Sequence, residues 1–173
     1  MKEKIRCIGV TESFSKDLNH KMLARAVDDN CWDVIMAGFN ILNQTARKNI
    51  LPRASVKGVG VLGMFAVRNA LRSSKYLRKV LNQLEAQEYI DQAALEEGSF
   101  LKNVLTDTTN INIPDIAYRY CCHEPNIDSV IFGTGNLSHL QANIDSLLSP
   151  AIPEEMSAQI EHIFGDISTL SGN

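Results

Sequence analysis

The chain has 173 residues, 45% of them hydrophobic and 21% charged, which excludes a disordered chain and supplies apolar material for one globular core. A formal net charge of -3, with no run of Lys or Arg longer than two, argues against a nucleic-acid surface, and no apolar stretch approaches the roughly 20 residues that cross a bilayer. Met1 to Ile5 has no signal-peptide core, so the expected location is the cytoplasm. Cys7, Cys31, Cys121 and Cys122 lack metal-ligand spacing, sit inside apolar patterns and read as buried reduced thiols. The histidines at 20, 123, 139 and 162 show no paired-ligand spacing either.

Ile5 to Val10 alternates and runs into the polar Thr11-Glu12-Ser13, the pattern of a strand entering a loop. Ser15 is the expected N-cap of a helix with Leu18, Met22, Leu23, Ala26 and Val27 on one face, stopped by Asn30. Val34 to Phe39 is a continuous apolar run, as in a strand covered on both sides, and it ends in polar residues from Asn40. A short helix through Arg47 to Leu51 follows, with Pro52 close to its end. Gly58 to Met64 is a third strand, whose glycines signal close approach of another backbone or a ligand. Lys75 to Ile90 carries Leu77, Val80, Leu81 and Leu84 on one stripe and reads as a helix, and Asp91 to Asn112 has a helical core around Phe100, Leu101, Val104 and Leu105. Pro114 opens a helix that covers Asp115 to Cys122.

Val130, Ile131 and Phe132 form a fourth apolar run, too short for a helix and read as a buried parallel strand. It ends in Gly133-Thr134-Gly135, and a helix follows with Leu137, Leu140 and Ile144 on one face and Asn136 or Ser138 as N-cap. A strand, a glycine turn and a row of helix N–H groups make a phosphate site; the alternative is that these glycines serve tight packing. Pro150 and Pro153 bracket a turn before a last helix, Glu154 to Phe164, on Met156, Ile160, Ile163 and Phe164. Four strands alternating with helices predict an α/β fold with a parallel sheet and right-handed crossovers, in one domain over residues 1–173.

With these segments placed, the chain resembles the C-terminal half of an aldo/keto reductase, a family built on an eight-stranded barrel of the TIM type. The resemblance is carried by Ile8-Gly9-Val10-Thr11, by Val34 to Leu42, and by Gly58 to Met64. It is carried most closely by Ile116-Ala117-Tyr118-Arg119 through Glu124-Pro125 to Ile131–Asn136, Leu140 and Asn143. The implied fold is half of a (β/α)8 barrel, and the implied branch is that of the sugar and small-aldehyde dehydrogenases.

The same resemblance implies a nicotinamide dinucleotide site. Thr11 falls where the family has a Ser that bonds the carboxamide, and Glu12 where Asn usually stands. Met36 replaces a Gln, and Met64 an aromatic that stacks on the nicotinamide ring; a thioether still packs against a ring. Gly133, Thr134, Gly135 and Asn136 match the loop around the adenosine phosphate, and Asn143 a contact to adenine. Gly135 and His139 stand where other members carry the Arg that would pair with a 2′-phosphate, which favours NAD over NADP.

The family's catalytic Asp, Tyr, Lys and His belong to the first half of the barrel, so the resemblance supplies no catalytic residue here. The tyrosines at 76, 89, 118 and 120 lie on predicted helices, out of reach of a strand-end pocket. Two functions remain: the cofactor half of an oxidoreductase, inactive without the missing half, or a non-catalytic half-barrel serving as a remnant or interaction module. Four strands cannot close a cylinder. The first and fourth would expose unpaired backbone groups, and an inner face including Val10, Ile35, Val61 and Ile131 or their neighbours would lie open. The expected partner is a second copy, giving a homodimer, or a separately encoded N-terminal half; neither nucleic acid nor membrane is expected.

Overall fold

Apolar runs with little alternation pair side by side in this chain, and their flanking amphipathic segments cover one side of the result. The computed structural model describes residues 4–90, 99–106 and 111–173. In chain order the elements are β1 (Gly9–Thr11), α1 (Lys21–Asp28), β2 (Val34–Gly38), α2 (Thr45–Asn49), α3 (Leu51–Lys57) and β3 (Gly60–Met64). A 3-10 turn (Asn69–Leu71) leads to α4 (Ser74–Ala86), α5 (Ser99–Thr106), α6 (Ile113–Cys122), β4 (Ser129–Val130), α7 (Leu137–Leu148) and α8 (Glu154–Phe164). The strands form one sheet in the order β1-β2-β3-β4, with every pair parallel. The expected α/β alternation is therefore the observed one. The predicted helical core within 91–112 is present as α5, while 91–98 and 107–110 lie outside the described residues.

Register sets which side chains share a face. Thr11 pairs with Met36, Met36 with Leu62 and Leu62 with Ser129, giving one row across all four strands. The alternate row, Val10, Ile35 and Val61, joins the core. That core gathers Leu23 and Val27 from α1, Ala54 from α3, Leu77 and Leu81 from α4, Ala117 from α6, and Ile160 and Phe164 from α8. Thus the helices cover the Ile35 and Val61 side, and the open side carries their neighbours Thr11, Met36 and Leu62, with Ile131 39% exposed beyond β4.

Four local differences from the sequence reading have physical causes. The first helix starts at Lys21, because residues 13–17 turn on themselves and His20 adopts a left-handed conformation, φ 57°. Asp17 Oδ2, in place of Ser15, accepts the Met22 N–H at 2.8 Å. Pro52 lies in the first turn of α3, where its missing N–H costs no hydrogen bond, so it opens a helix that the sequence reading closed. The fourth strand comprises only Ser129–Val130; Ile131 adds one further bond to Gly63 O at 2.8 Å. On α7 the expected apolar face is not buried: Leu137 is 82% exposed, and Ser146 is the buried position. That helix packs against α6 on one side and flanks the last strand of the sheet, so its remaining apolar residues have no neighbour there.

Glycine 63 in β3 answers to packing, since a Cβ there would lie 3.1 Å from Ile127. The chain end is pinned across the carboxyl side of the sheet. Asn40 and Asn43 side-chain amides donate to Ser171 O and Leu170 O at 3.2 and 2.8 Å, and Ala70 N–H donates to Gly172 O at 2.9 Å. No helix among the described residues is long and apolar enough to cross a membrane.

Candidate dinucleotide site

In parallel sheets the loops at the carboxyl ends of the strands are where ligands bind, because all strands deliver their loops to that side. A cleft of about 480 Å³ opens there, lined by Val67, Arg72, Asn112, Pro114, Tyr118, Gly133, Thr134, His139, Ala142 and Asn143. Its volume suits a nucleotide-sized group. Neither Asp nor Glu is among these lining residues, whereas Arg72 and His139 are.

The glycines of the cleft have no internal reason to be glycine. A Cβ built on Gly133 or Gly135 would meet nothing within 4 Å, and neither residue has a positive φ. Tight packing, the alternative left open by the sequence, is therefore not what they serve. The helix that follows is capped: Asn136 Oδ1 accepts the Ser138 N–H at 2.9 Å and the His139 N–H at 3.4 Å, while Asn136 N–H donates to Thr134 Oγ1 at 3.1 Å. Of the two cap candidates Asn136 is the one used, and it satisfies donors that the sequence reading left to a phosphate.

Of the residues singled out in sequence, Gly133, Thr134, His139 and Asn143 meet in this cleft, with Gly135 and Asn136 in the same loop. Thr11 and Met36 share one row of the open face, and Thr11 Oγ1 lies 3.8 Å from Met64 Sδ. Glu12 departs from the group. Its side chain is fully buried, with Oε1 accepting the Gly38 N–H at 2.7 Å and both oxygens 2.9 Å from His20 Nδ1. His20 Nε2 is 2.9 Å from Thr45 Oγ1, which itself lies 2.6 Å from both Leu18 O and Asn43 Oδ1. The single hydroxyl proton goes to one of those oxygens, so Nε2–H donates to Thr45.

Sequence reasoning missed Val67, Arg72, Asn112, Pro114 and Tyr118 as cleft residues, and it placed Tyr118 out of reach. Tyr118 in fact forms part of the wall, packed edge-on to Phe132 with ring centres 6.0 Å apart. Burial pushes its hydroxyl above its ordinary pKa. Its position two residues before Tyr120 on a strongly apolar helix resembled core, and only the return of α6 to the strand ends reveals the other role. Nearby, the Arg68 guanidinium sits 4.3 Å from the Phe65 ring centre, and its buried Nη1 has no hydrogen-bond partner among the described residues. Burial lowers the pKa of that guanidinium. Phe65 stacks on Phe14 and Phe14 on His20, at 5.9 and 5.6 Å between ring centres, so a row of rings joins the buried Glu12–His20 pair to Arg68.

A larger cleft, about 560 Å³, lies among α2, α6 and α8. Both of its arginines are already engaged. Arg47 bonds both carboxylate oxygens of Glu124, the Tyr120 hydroxyl at 3.0 Å and Gln44 Oε1 at 2.7 Å. Burial opposes the charge on Arg47, but Glu124 and Tyr120 outweigh it and raise its pKa. Arg119 donates to Pro150 O and Ala151 O, and His123 Nε2 is 3.0 Å from Ser149 O. Arginines engaged in this way hold helices together and leave few free cationic donors for a ligand.

The sequence profile of the Aldo/keto reductase family matches residues 2–164. No curated protein sequence matches the chain. Among solved structures, the holo form of an aldo-keto reductase from Bacillus halodurans is similar, with TM-score 0.57 and 16% identity over 90% of this chain and 49% of that one. Its apo form gives TM-score 0.53 and 16% identity over 83% of this chain and 47% of that one. A glycerol dehydrogenase from Gluconobacter oxydans gives 0.50 and 12% over 89% and 56%. The chain thus spans about half the length of the structures it matches.

Proposed function

This chain belongs to the aldo/keto reductase family, and on that premise we propose that it is the dinucleotide-binding half of an oxidoreductase, working as one domain in the cytoplasm. The observation that carries this reading is the strand-end cleft with its open glycines, the Arg72 guanidinium, the His139 ring and no carboxylate among its described lining residues. Gly133 and Gly135 leave room for a phosphate, Thr134 and Asn136 border it with polar atoms, and Asn143 faces the adenine. Thr11, Met36 and Met64 lie toward the nicotinamide end, on the face that no helix among the described residues covers. Glu12 holds the frame through His20 and Gly38 and does not touch the cofactor. When bound, NAD or NADP exchanges a hydride with a carbonyl or alcohol carbon; this chain binds and orients it.

The proton donor of that chemistry comes from outside these residues, because the resemblance places the catalytic Asp, Tyr, Lys and His in the other half of the barrel. By itself the chain is inactive. Its open side is covered by a second copy or by a separately encoded first half, a reading supported by β1 and β4 being sheet edges and by exposed Ile5, Ile8, Ile131, Leu137 and Leu140 beside them. Each large apolar side chain left in water forfeits roughly 1.5–3 kcal/mol. In sedimentation velocity the protein runs as a dimer; a compact, cooperatively melting monomer contradicts this. Titration into NADH or NADPH gives saturable enhancement of nicotinamide fluorescence, and its absence with both rejects the cofactor reading. A second reading, a non-catalytic interaction module, draws on the internal use of Glu12 and on methionines at 36 and 64, and it predicts that absence.

A further inference from the structure

The amino-terminal ends of the strands, opposite the cleft, bring together two thiols that the sequence holds apart. Cys7 precedes β1 and Cys31 precedes β2, and both are exposed. The two strands are parallel neighbours, with Gly9 opposite Val34. Just before that pair the ladder takes up one extra residue. The Asp33 and Val34 N–H groups both donate to Ile8 O, at 2.9 and 3.3 Å, and the Asp33 carboxylate accepts the Ile8 N–H at 2.8 Å. Counting back from Gly9 and Val34 with Asp33 as the extra residue, Trp32 falls beside Ile8 and Cys31 beside Cys7. Counted without it, Cys31 is one place out of step. Neighbouring strands put such Cα atoms about 4.8 Å apart when opposite and about 6 Å when one residue out of step, and both lie within the roughly 4.4–6.8 Å that a disulfide spans. The other two cysteines are placed differently. Cys121 and Cys122 are consecutive on α6, and their thiols approach carbonyls: Phe39 O at 3.5 Å for Cys121, Arg119 O and Leu147 O at 3.6 and 3.8 Å for Cys122.

We propose that Cys7 and Cys31 form a reversible disulfide that staples the edge strand β1 to β2. This rests on the backbone pairing of the two strands and is independent of the dinucleotide reading. The oxidant is a small disulfide of the glutathione class. One protein thiolate attacks it, the oxidant's S–S bond breaks and one glutathione leaves; the second protein thiolate attacks the mixed disulfide and releases the other. Two protein thiols are oxidised, one small disulfide is reduced to two thiols, and the two protons pass to the leaving groups. A reducing compartment keeps the pair open, and a shift toward oxidant closes it. Closure joins residues 7 and 31 around the segment that carries Glu12, Phe14 and His20. The bond thereby restrains the unfolded chain and holds β1, a sheet edge, whether or not a partner covers it.

Treating the reduced full chain with excess oxidised glutathione, alkylating the remaining thiols and mapping peptides without reductant tests this. The expected product is a single chain with two alkylated thiols, Cys121 and Cys122, and a peptide linking Cys7 to Cys31; dithiothreitol restores all four thiols. Its thermal midpoint stands roughly 6–12 °C above that of the reduced protein. Cys7→Ser and Cys31→Ser each stop at a glutathione adduct on the remaining cysteine and show no such rise. Because both positions are exposed, the reduced variants keep the parent's midpoint. Glutathione adducts persisting on both cysteines, or links only between chains, overturn the proposal. A Cys7–Cys31 link that leaves the midpoint unchanged overturns the staple.

Discussion

Replacing His20 by Ala removes the partner of a carboxylate that has no route to water. The Glu12 and His20 side chains are both 0% exposed. After the change, Glu12 keeps only the Gly38 N–H at 2.7 Å, and Thr45 Oγ1 loses the imidazole at 2.9 Å. Removing one member of a buried pair costs about 3–5 kcal/mol, because the other charge stays behind unmatched. Against a total stability of about 5–15 kcal/mol that is a large share. Glu12→Gln retains an acceptor for Gly38 and should cost less, about 1–3 kcal/mol. The double variant leaves no buried charge, so it should fall short of the summed single losses by about 0.5–3 kcal/mol. Urea unfolding followed by far-UV circular dichroism at pH 7, with a common m-value, measures all four proteins. In thermal scans the His20→Ala loss is a drop of roughly 6–20 °C. A His20→Ala variant within 1 kcal/mol of the parent, or strict additivity in the cycle, refutes the reasoning.

A Cβ at residue 38 would lie 2.3 Å from the Phe14 ring, so Gly38→Ala should cost about 1–3 kcal/mol through overpacking and disturb the ring row, read as a lower urea midpoint and altered near-UV dichroism. Against the expectation of four buried thiols, Cys7 and Cys31 are exposed, since they lie at the amino-terminal ends of β1 and β2 outside the core, whereas burial pushes the Cys121 and Cys122 thiols up. The native protein should therefore show two fast thiols to an aromatic disulfide reagent, with the others released only on unfolding; fast reaction of Cys121 contradicts the packing. Burial works against the charge of Asp17, but the Met22 and Lys21 N–H groups and nearby His20 outweigh it and hold its carboxyl below its ordinary value of 3.8. A group lowered in the folded state stabilises above its unfolded pKa and loses that contribution as pH falls through the folded value. Asp17→Asn should therefore be less stable than the parent at pH 7, by only a few tenths of a kcal/mol because Asn also caps and solvent screens the charge, and the gap should shrink below pH 4 in urea titrations.

How far the sequence exposes this fold depends on which signal each segment carries. The last helix, Glu154–Phe164, is found where its spacing of Ile160, Ile163 and Phe164 puts it, because a helix buried on one side writes its period into the chain. β2 and β3 announce themselves as strands but not their facing. A continuous apolar run has no alternation, so a shift of one residue exchanges Ile35 for Met36 at equal hydrophobicity, and only the register decides. The Asp17 cap and left-handed His20 were hidden for another reason: the carboxylate that anchors His20 comes from the residue just after β1, eight positions earlier. α7 misleads in the opposite direction, with an apolar face that this chain alone leaves in water. Half of the site was legible because Gly133, Thr134 and Asn143 follow one strand in order. The other wall was not, since Arg72 and Tyr118 arrive from two further segments whose convergence is a property of the sheet.

Amide shifts on cofactor addition decide which cleft takes the dinucleotide. Adding NADPH to uniformly ¹⁵N-labelled protein and following the amide shifts should move Gly133, Thr134, Gly135, His139 and Asn143 together with Arg72 in a saturable way, while Arg119, Tyr120 and His123 beside the helix-layer cleft stay in place. Shifts centred on those three residues, or none anywhere at saturating cofactor, would contradict it.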